Sequence, residues 1–251
     1  MRINHNISAL NTYRQYNNNT AAASKSMEKL SSGYRINRAA DDAAGLSISE
    51  KMRSQIRGLN QATRNAQDGT SFIQTAEGAL NEVSDMLTRM KELSVQVTNG
   101  TYSTADQANI GSEMSALGTA IADIYVNTKF NGTSVFGGTT YAAATGTLTV
   151  GGTSTAIKYG EDGGQTVTIS PASVTSLTTL TQAAYNAAAG TKTPTGVTSA
   201  IVEAAITEVN TTRATYGAQQ NQLEHASNNM STTKENLQAA ESRVREVDMA
   251  S

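Results

Sequence analysis

The sequence predicts a mainly α-helical protein: an elongated rod of long antiparallel helices of the coiled-coil type, with a small β-hairpin region inserted between the N- and C-terminal helical parts. Apolar positions recur at alternating spacings of three and four residues over stretches longer than an ordinary globular helix. An Asn-Gly pair marks a short connection between two of these stretches. The region before the last stretch is instead rich in glycine, threonine and serine.

Two of these stretches form especially long apolar stripes, which begin at Met52 and Val202. From Ile73 onward the apolar members of the first stripe are Ala76, Leu80, Val83, Leu87, Met90 and Val97. The second continues to Val247 and includes Val209, Tyr216, Leu223, Met230, Leu237 and Val244. A stripe of about 50 residues corresponds to a rod of roughly 75 Å. Such a rod offers much surface to copies of itself and little room for a catalytic cleft.

A third, shorter stripe lies between the two long ones, and consists of Ile110, Met114, Leu117, Ile121 and Ile124. Thr104 and Gln107 predict a capping box at its start, and Asn99-Gly100 predicts the end of the helix before it. Because this connection is short, we expect an antiparallel helix pair, with the C-terminal helix as third member of the bundle. The predicted rod core includes Leu80, Leu87, Ile121 and Leu237.

The apolar stripes would form the seams between packed helices, but none of them is strongly apolar. Threonine, serine, alanine, glutamine and even Arg213 occupy positions that should face the core. Two interpretations remain open. The chain forms a weak coiled coil by itself, or its seams are completed when neighbouring molecules pack against them.

The chain divides into four predicted segments. Residues 1–44 form an N-terminal inner helix, with Gly33 at its end, and a connector. Residues 45–132 form two helices of the rod, residues 133–196 a β-hairpin and variable region, and residues 197–251 the C-terminal helix of the rod.

The Gly/Thr/Ser-rich segment contains three stretches of strand composition, Thr147–Val150, Ala156–Tyr159 and Thr166–Ile169. The last two flank a glycine-rich loop at 160–164 and predict a hairpin. Asn131-Gly132 predicts a turn, and a weak helix is expected near 182–189. The segment could also carry O-glycans, although a plain solvated loop is the simpler explanation of its composition.

Composition limits the function classes. The net charge is −2, so no basic face for nucleic acid or acidic lipid is expected. No apolar run approaches the roughly 20 residues that span a bilayer. The absence of cysteine excludes disulfides and thiolate chemistry. His5 and His225 lie far apart without a zinc-protease motif, and Asp41-Asp42 is explained most simply as a helix cap. We therefore expect no enzyme activity, no cofactor and no metal.

Several motifs carry a family resemblance. The strings MRINHNISAL, EKLSSGYRINRAADDAAGLSISEKMRSQIRGL, NAQDGTSFIQTAEGAL, LTRMKELSVQVTNG and NTKFNG resemble the N-terminal region of bacterial flagellin. NLQAAESRVREVDMA resembles the start of the flagellin C-terminal signature. The match covers about 130 residues at the front and 50 at the back, but not the middle, so the chain resembles a short flagellin without large outer domains.

The resemblance implies a structural subunit that polymerises into the bacterial flagellar filament for motility. It implies export by the flagellar type III machinery, assembly under the flagellar cap, and an extracellular location. Flagellins continue for several tens of residues after the VDMA motif, where the C-terminal partner of the inner helix lies. We therefore expect this chain to lack that segment and to be monomeric in solution.

The resemblance also implies a receptor contact. Arg89, Leu93 and Glu113 match positions through which flagellins of this type contact the vertebrate flagellin-sensing Toll-like receptor, Toll-like receptor 5. Arg89 and Leu93 are four residues apart on one helix, and Glu113 comes from its neighbour. The simpler alternative is a solvated charged face with Leu93 at its edge.

Two other function classes fit parts of the sequence. A hook-filament junction protein has similar terminal helices, but the string EKLSSGYRINRAADDAAG fits flagellin better. An enzyme or adhesin displayed on the flagellum would need a catalytic cluster or a large outer domain at 133–196, and the sequence shows neither.

Overall fold

The computed structural model describes residues 6–149, 151–152, 154–160, 164–170, 172, 175–188 and 196–247. Over these ranges the chain forms five helices and three two-stranded antiparallel sheets. The helices are α1 (Ile7–Ser32), α2 (Ala43–Val97), α3 (Thr104–Asn127), α4 (Thr175–Ala188) and α5 (Ser199–Arg245). The strands are β1 (Lys129–Phe130), β2 (Thr133–Ser134), β3 (Thr140–Ala142), β4 (Thr147–Thr149), β5 (Thr155–Lys158) and β6 (Thr166–Ile169). The mainly α fold class, with small strand pairs inserted between helical parts, is confirmed.

The chain divides into two compact units. The first unit comprises residues 1–61 and 230–251, and the second comprises residues 62–229. The four segments drawn from the sequence remain a prediction.

Helix α1 in the first unit is well capped but buries none of its residues. The Asn6 side chain accepts a hydrogen bond from the Ala9 N–H at 3.1 Å, and Gly33 ends the helix at φ 70°, a left-handed conformation that costs glycine little. Its large apolar side chains are all exposed: Ile7, Leu10, Tyr13, Tyr16, Met27 and Leu30. Local capping therefore defines this helix, while packing contributes little.

The connector between α1 and α2 uses its two neighbouring aspartates differently. Asp42 caps α2 by accepting a hydrogen bond from the Gly45 N–H at 2.9 Å. A Cβ at Gly45 would lie 2.8 Å from Ile36, which is buried, so glycine allows this close approach. Asp41 does not cap the helix. It pairs with Lys25 of α1 at 2.7 Å and accepts a hydrogen bond from the Arg38 N–H.

The end of α5 is joined to α2 and to the chain that follows α1. Arg245 pairs with Glu50 of α2 at 2.6 Å, and its guanidinium lies 5.1 Å from the centre of the Tyr34 ring. The Arg35 N–H donates to the Arg245 carbonyl at 2.8 Å, and the Val247 N–H donates to the Gly33 carbonyl at 3.0 Å. These bonds fix the C-terminal ends of α1 and α5 in the first unit.

Helices α2, α3 and α5 surround the core of the second unit. Arg89 contacts Glu113 of α3, and the Gln107 side chain reaches the Val97 carbonyl, so α2 and α3 are antiparallel. The core consists of buried apolar side chains that include Ile73, Leu80, Leu87, Met90, Met114, Ile121, Val202 and Val209. Helix α3 starts with a capping box, but its members are Ser103 and Asp106 instead of Thr104 and Gln107. The predicted box was thus one residue out of register.

The predicted hairpin is present as β5–β6, whereas β3, which pairs with β4, and the two-residue strands β1 and β2 were not predicted as strands. Asn131 and Gly132, at φ 48° and 80°, form the β1–β2 turn. Strands β4, β5 and β6 match the three predicted stretches to within a residue where described; Val150 and residues 161–163 fall outside the described ranges. Helix α4 begins several residues earlier than expected. The Glu208 carboxylate of α5 accepts hydrogen bonds from three backbone N–H groups in the first turn of α4. These bonds satisfy donors that a helix end leaves free.

The proposed core residues lie in different surroundings. Leu80, Leu87 and Ile121 are fully buried in the second unit. Leu237 is only half-buried, which corrects its assignment to a three-helix core. In the first unit α5 has α2 as its partner, and α1 contributes no buried residue, so one side of Leu237 stays open.

Burial at these leucines leads to a stability prediction. Leu87→Ala should lower the free energy of unfolding by about 2–5 kcal/mol, because it removes buried apolar atoms and leaves a cavity. Leu237→Ala should cost clearly less, since solvent can fill the space. Chemical denaturation of both variants followed by circular dichroism measures the difference. Equal losses would contradict this account of the core.

Asp41 should make the free energy of unfolding depend on pH in the acidic range. The Lys25 ion pair and the backbone N–H donors lower the pKa of Asp41 from 3.8 to about 2. Because the unfolded chain takes up this proton first, the stabilisation is present above about pH 4 and is lost as the pH falls through about 2. Asp41→Asn should therefore be less stable at neutral pH and flatten the profile of stability between these values.

Urea unfolding at a series of pH values measures the effect of Asp41. Asp85→Asn, which removes an exposed carboxylate of the second unit, is the control. Parallel profiles for wild type and Asp41→Asn would refute the assignment.

Candidate interaction surface

The residues proposed to contact a receptor lie on α2 and α3 of the second unit. Arg89 and Glu113 are partly exposed, with 50% and 46% of their side-chain surfaces accessible. The structure brings these two together across the α2–α3 pair. It places Leu93 differently.

Two carboxylates hold the Arg89 guanidinium. Its Nε donates to Glu113 at 3.0 Å and its Nη2 lies 2.9 Å from the same oxygen, while Nη1 donates to Glu92 at 3.0 Å. The hydrogen bonds that Arg89 donates to Glu92 and to Glu113 raise the pKa of Arg89. The side chain is therefore held in one orientation at the surface by charge-assisted hydrogen bonds.

Leu93 is buried, with only 1% of its surface exposed. This corrects the expectation that it lies at the edge of the exposed face. At 100° per residue, Leu93 is displaced by about 40° from Arg89 around the helix. That rotation turns it toward the buried side of α2, which Met90 and Val97 also occupy.

Glu92 also belongs to this face, whereas Lys91 lies about 160° from Arg89 around α2, on the side toward α5; the sequence reasoning singled out neither residue. Glu92 was detectable, because oppositely charged residues three apart on a helix can pair. Lys91 pairs with Glu203 of α5 at 3.1 Å, and this ion pair lowers the pKa of Glu203. No local spacing reveals that pair, since its members are distant in sequence.

Within the described ranges, no group of three or more histidine, aspartate or glutamate residues is placed to hold a metal ion. None of the described helices is long and apolar enough to cross a membrane. The exposed face combines both charge signs, and the exposed side chain of Val95 lies one turn beyond Glu92 on α2.

Comparison with known proteins identifies the family. The bacterial flagellin N-terminal helical region matches residues 3–141, and the C-terminal helical region matches residues 199–251. The chain belongs to the bacterial flagellin family. It is 47% identical over 270 residues to flagellin from Bacillus subtilis (strain 168), an alignment that covers 100% of this chain and 88% of that protein.

Solved structures agree with this family. The crystal structure of Bacillus cereus flagellin matches with a TM-score of 0.51 and 32% identity, covering 66% of this chain and 88% of that one. A putative flagellar hook-associated protein from Vibrio parahaemolyticus matches with a TM-score of 0.67, covering 82% of this chain and 100% of that one. Its identity is only 13%, so it supports the fold alone.

Membership of the flagellin family establishes the general role of the chain. The chain is a structural subunit of the flagellar filament. The filament is a polymer of flagellin subunits and an extracellular appendage of the bacterium. The family is one of structural proteins and is not an enzyme class.

The contrast between Arg89 and Leu93 can be tested by stability. Leu93→Ala should lower the free energy of unfolding of this flagellin by about 2–5 kcal/mol, because the side chain is buried. Arg89→Ala should leave the thermal melt close to that of wild type, since exposed ion pairs contribute little. Thermal melting curves of both variants and of wild type measure this difference. An intact melt for Leu93→Ala would mean that this residue is at the surface after all.

Proposed function

We propose that this flagellin, besides forming filaments, is a ligand of the Toll-like receptor 5 ectodomain, and that Arg89 is the centre of the contact surface. The observation that carries the proposal is the fixed Arg89 side chain between Glu92 and Glu113. An anchored arginine loses less conformational freedom on binding than a mobile one, which favours a specific interface.

The proposed contact surface differs from the one expected from the sequence. Arg89 and Glu113 remain candidates for direct contact, because both are partly exposed. Leu93 is assigned a supporting role beneath them, since a buried side chain cannot touch a receptor unless α2 and α3 separate. Val95 is exposed, but it lies about 120° from Arg89 around α2, so it borders the Glu92 side of the surface and does not take the position of Leu93.

The family also supports proposals about the route to the filament. We propose that the chain is secreted through the flagellar export machinery and assembles under the flagellar cap. The large exposed side chains of α1, which include Leu10 and Tyr13, supply an apolar face that is available to other flagellin subunits.

Receptor binding is tested by titrating the ectodomain with wild type, Arg89→Ala and Glu113→Ala. Arg89→Ala should bind at least about tenfold more weakly, as expected for loss of an interface anchor. Glu113→Ala should have a smaller effect, because it leaves the Arg89–Glu92 pair in place.

The matched control is Lys129→Ala, which removes an exposed positive charge at the start of β1, away from this face. It should bind like wild type, and circular dichroism should show all variants folded. Unchanged affinity for folded Arg89→Ala would refute the assignment.

A further inference from the structure

We propose that Asn99 is a site of spontaneous covalent modification, at which the folded protein loses ammonia and the side-chain amide becomes a carboxylate. The site lies in the connection between α2, which ends at Val97, and α3, which begins at Thr104. The conversion needs no enzyme, because the attacking group is the backbone nitrogen of the next residue, Gly100.

The chain contains two Asn-Gly pairs, and threonine follows both of them. They are Asn99-Gly100 in the α2–α3 connection and Asn131-Gly132 in the β1–β2 turn. A glycine after asparagine favours attack on the side-chain amide, because no Cβ crowds the attacking nitrogen. Since the residues that follow the two asparagines are the same, a difference in reactivity between the pairs must come mainly from the fold.

The reaction balances with water as its co-reactant. The Gly100 nitrogen forms a bond to Cγ of Asn99, the Cγ–Nδ2 bond breaks, and Nδ2 leaves as ammonia with the proton of the Gly100 N–H. A five-membered succinimide ring remains. Water then opens the ring on either side of its nitrogen. One opening gives aspartate, and the other gives isoaspartate, in which the main chain runs through the side-chain carbon.

The surroundings of Asn99 leave the reacting groups accessible. Asn99 and Gly100 are both exposed, and the Gly100 N–H forms no hydrogen bond within the described part of the chain. The Thr101 N–H donates to Oδ1 of Asn99 at 3.4 Å, which turns the side chain toward the backbone that follows and polarises its carbonyl. The Tyr102 N–H donates to the Asn99 main-chain carbonyl, also at 3.4 Å. Such long bonds restrain the residue only weakly.

Asn131 is also exposed, but the fold holds its backbone. Asn131 and Gly132 occupy a two-residue turn at φ 48° and 80°, and the residues on either side, Phe130 and Thr133, are paired across β1 and β2. The Phe130 ring packs edge-on against Phe72 of α2, with 5.8 Å between the ring centres. Bringing the Gly132 nitrogen to Cγ of Asn131 requires a rotation of the backbone between them, which the paired strands oppose.

The modification would change the α2–α3 connection in two ways. A carboxylate at position 99 places negative charge just after α2, at the negative end of the helix dipole. Isoaspartate also lengthens the main chain between the helices by one carbon atom. The connection is closed independently of Asn99, because the Gln96 side chain donates to the Tyr102 hydroxyl at 3.0 Å and a capping box at Ser103 starts α3. The modified protein should therefore remain folded.

Ageing of the purified, folded chain at mildly alkaline pH, which favours loss of the proton from the attacking nitrogen, tests the site. Peptide mapping by mass spectrometry would follow both Asn-Gly pairs in the same sample and distinguish isoaspartate from aspartate. Asn99 should convert at least about tenfold faster than Asn131, because Asn131 must first leave its turn by local opening. In denaturant the two rates should approach each other.

Gly100→Ala isolates the reaction from the fold. A Cβ at Gly100 meets no atom within 4 Å, so the structure accommodates alanine, while the added methyl group crowds the attacking nitrogen. This variant should convert Asn99 several-fold more slowly and leave Asn131 unaffected. Gly78→Ala is the matched control, since a Cβ there also meets nothing within 4 Å. It should convert Asn99 at the wild-type rate, and circular dichroism should show both variants folded.

Three results would overturn the proposal. The first is an equal rate at Asn99 and Asn131 in the folded protein. The second is a Gly100→Ala variant that converts Asn99 as fast as Gly78→Ala does. The third is a product that contains aspartate but no isoaspartate, because direct hydrolysis of the amide, without attack by the Gly100 nitrogen, gives aspartate alone.

Discussion

The antiparallel pairing of α2 with α5 is the interaction on which the second unit depends. Lys91 pairs with Glu203, and Glu77 lies 4.0 Å from Arg213, so the two helices run in opposite directions. The other elements use this pair as a base. Helix α3 packs along α2, and Glu208 of α5 caps α4. At Gly69, where a Cβ would lie 2.9 Å from Ile157 and 3.1 Å from Leu223, the missing side chain lets the β5–β6 hairpin approach both helices.

Polar residues in the seams are tolerated because the helices themselves satisfy them. The Thr212 hydroxyl donates to the Glu208 carbonyl one turn earlier, and the Ser94 hydroxyl donates to the Lys91 carbonyl. A buried hydroxyl bonded in this way avoids the cost of an unsatisfied polar group. The seams can therefore be rich in threonine and serine while the second unit still has a packed core. Their weak apolar character, which suggested a coiled coil dependent on its neighbours, has a local explanation at these positions.

The same helix α2 presents a packed side and a charged side within a single turn. Leu93 and Met90 are buried, while Arg89 and Glu92 between and beside them are exposed. A substitution on the packed side is therefore expected to affect folding, whereas one on the charged side is expected to affect the proposed recognition.

Local sequence signals were sufficient to predict the helices, the strands β4, β5 and β6, the turns at Gly33 and Asn131-Gly132, and the flagellin family. Each of these features depends on residues close together in the chain or on motifs that can be recognised directly. The tertiary structure decided that Leu93 is buried, that Leu237 is half-buried, and that Arg89 is held by two carboxylates. The physical reason is that burial and ion pairing depend on which helix lies alongside. A difference of about 40° around α2 separates a surface residue from a core residue, and periodicity alone does not reveal where the neighbouring helix stands.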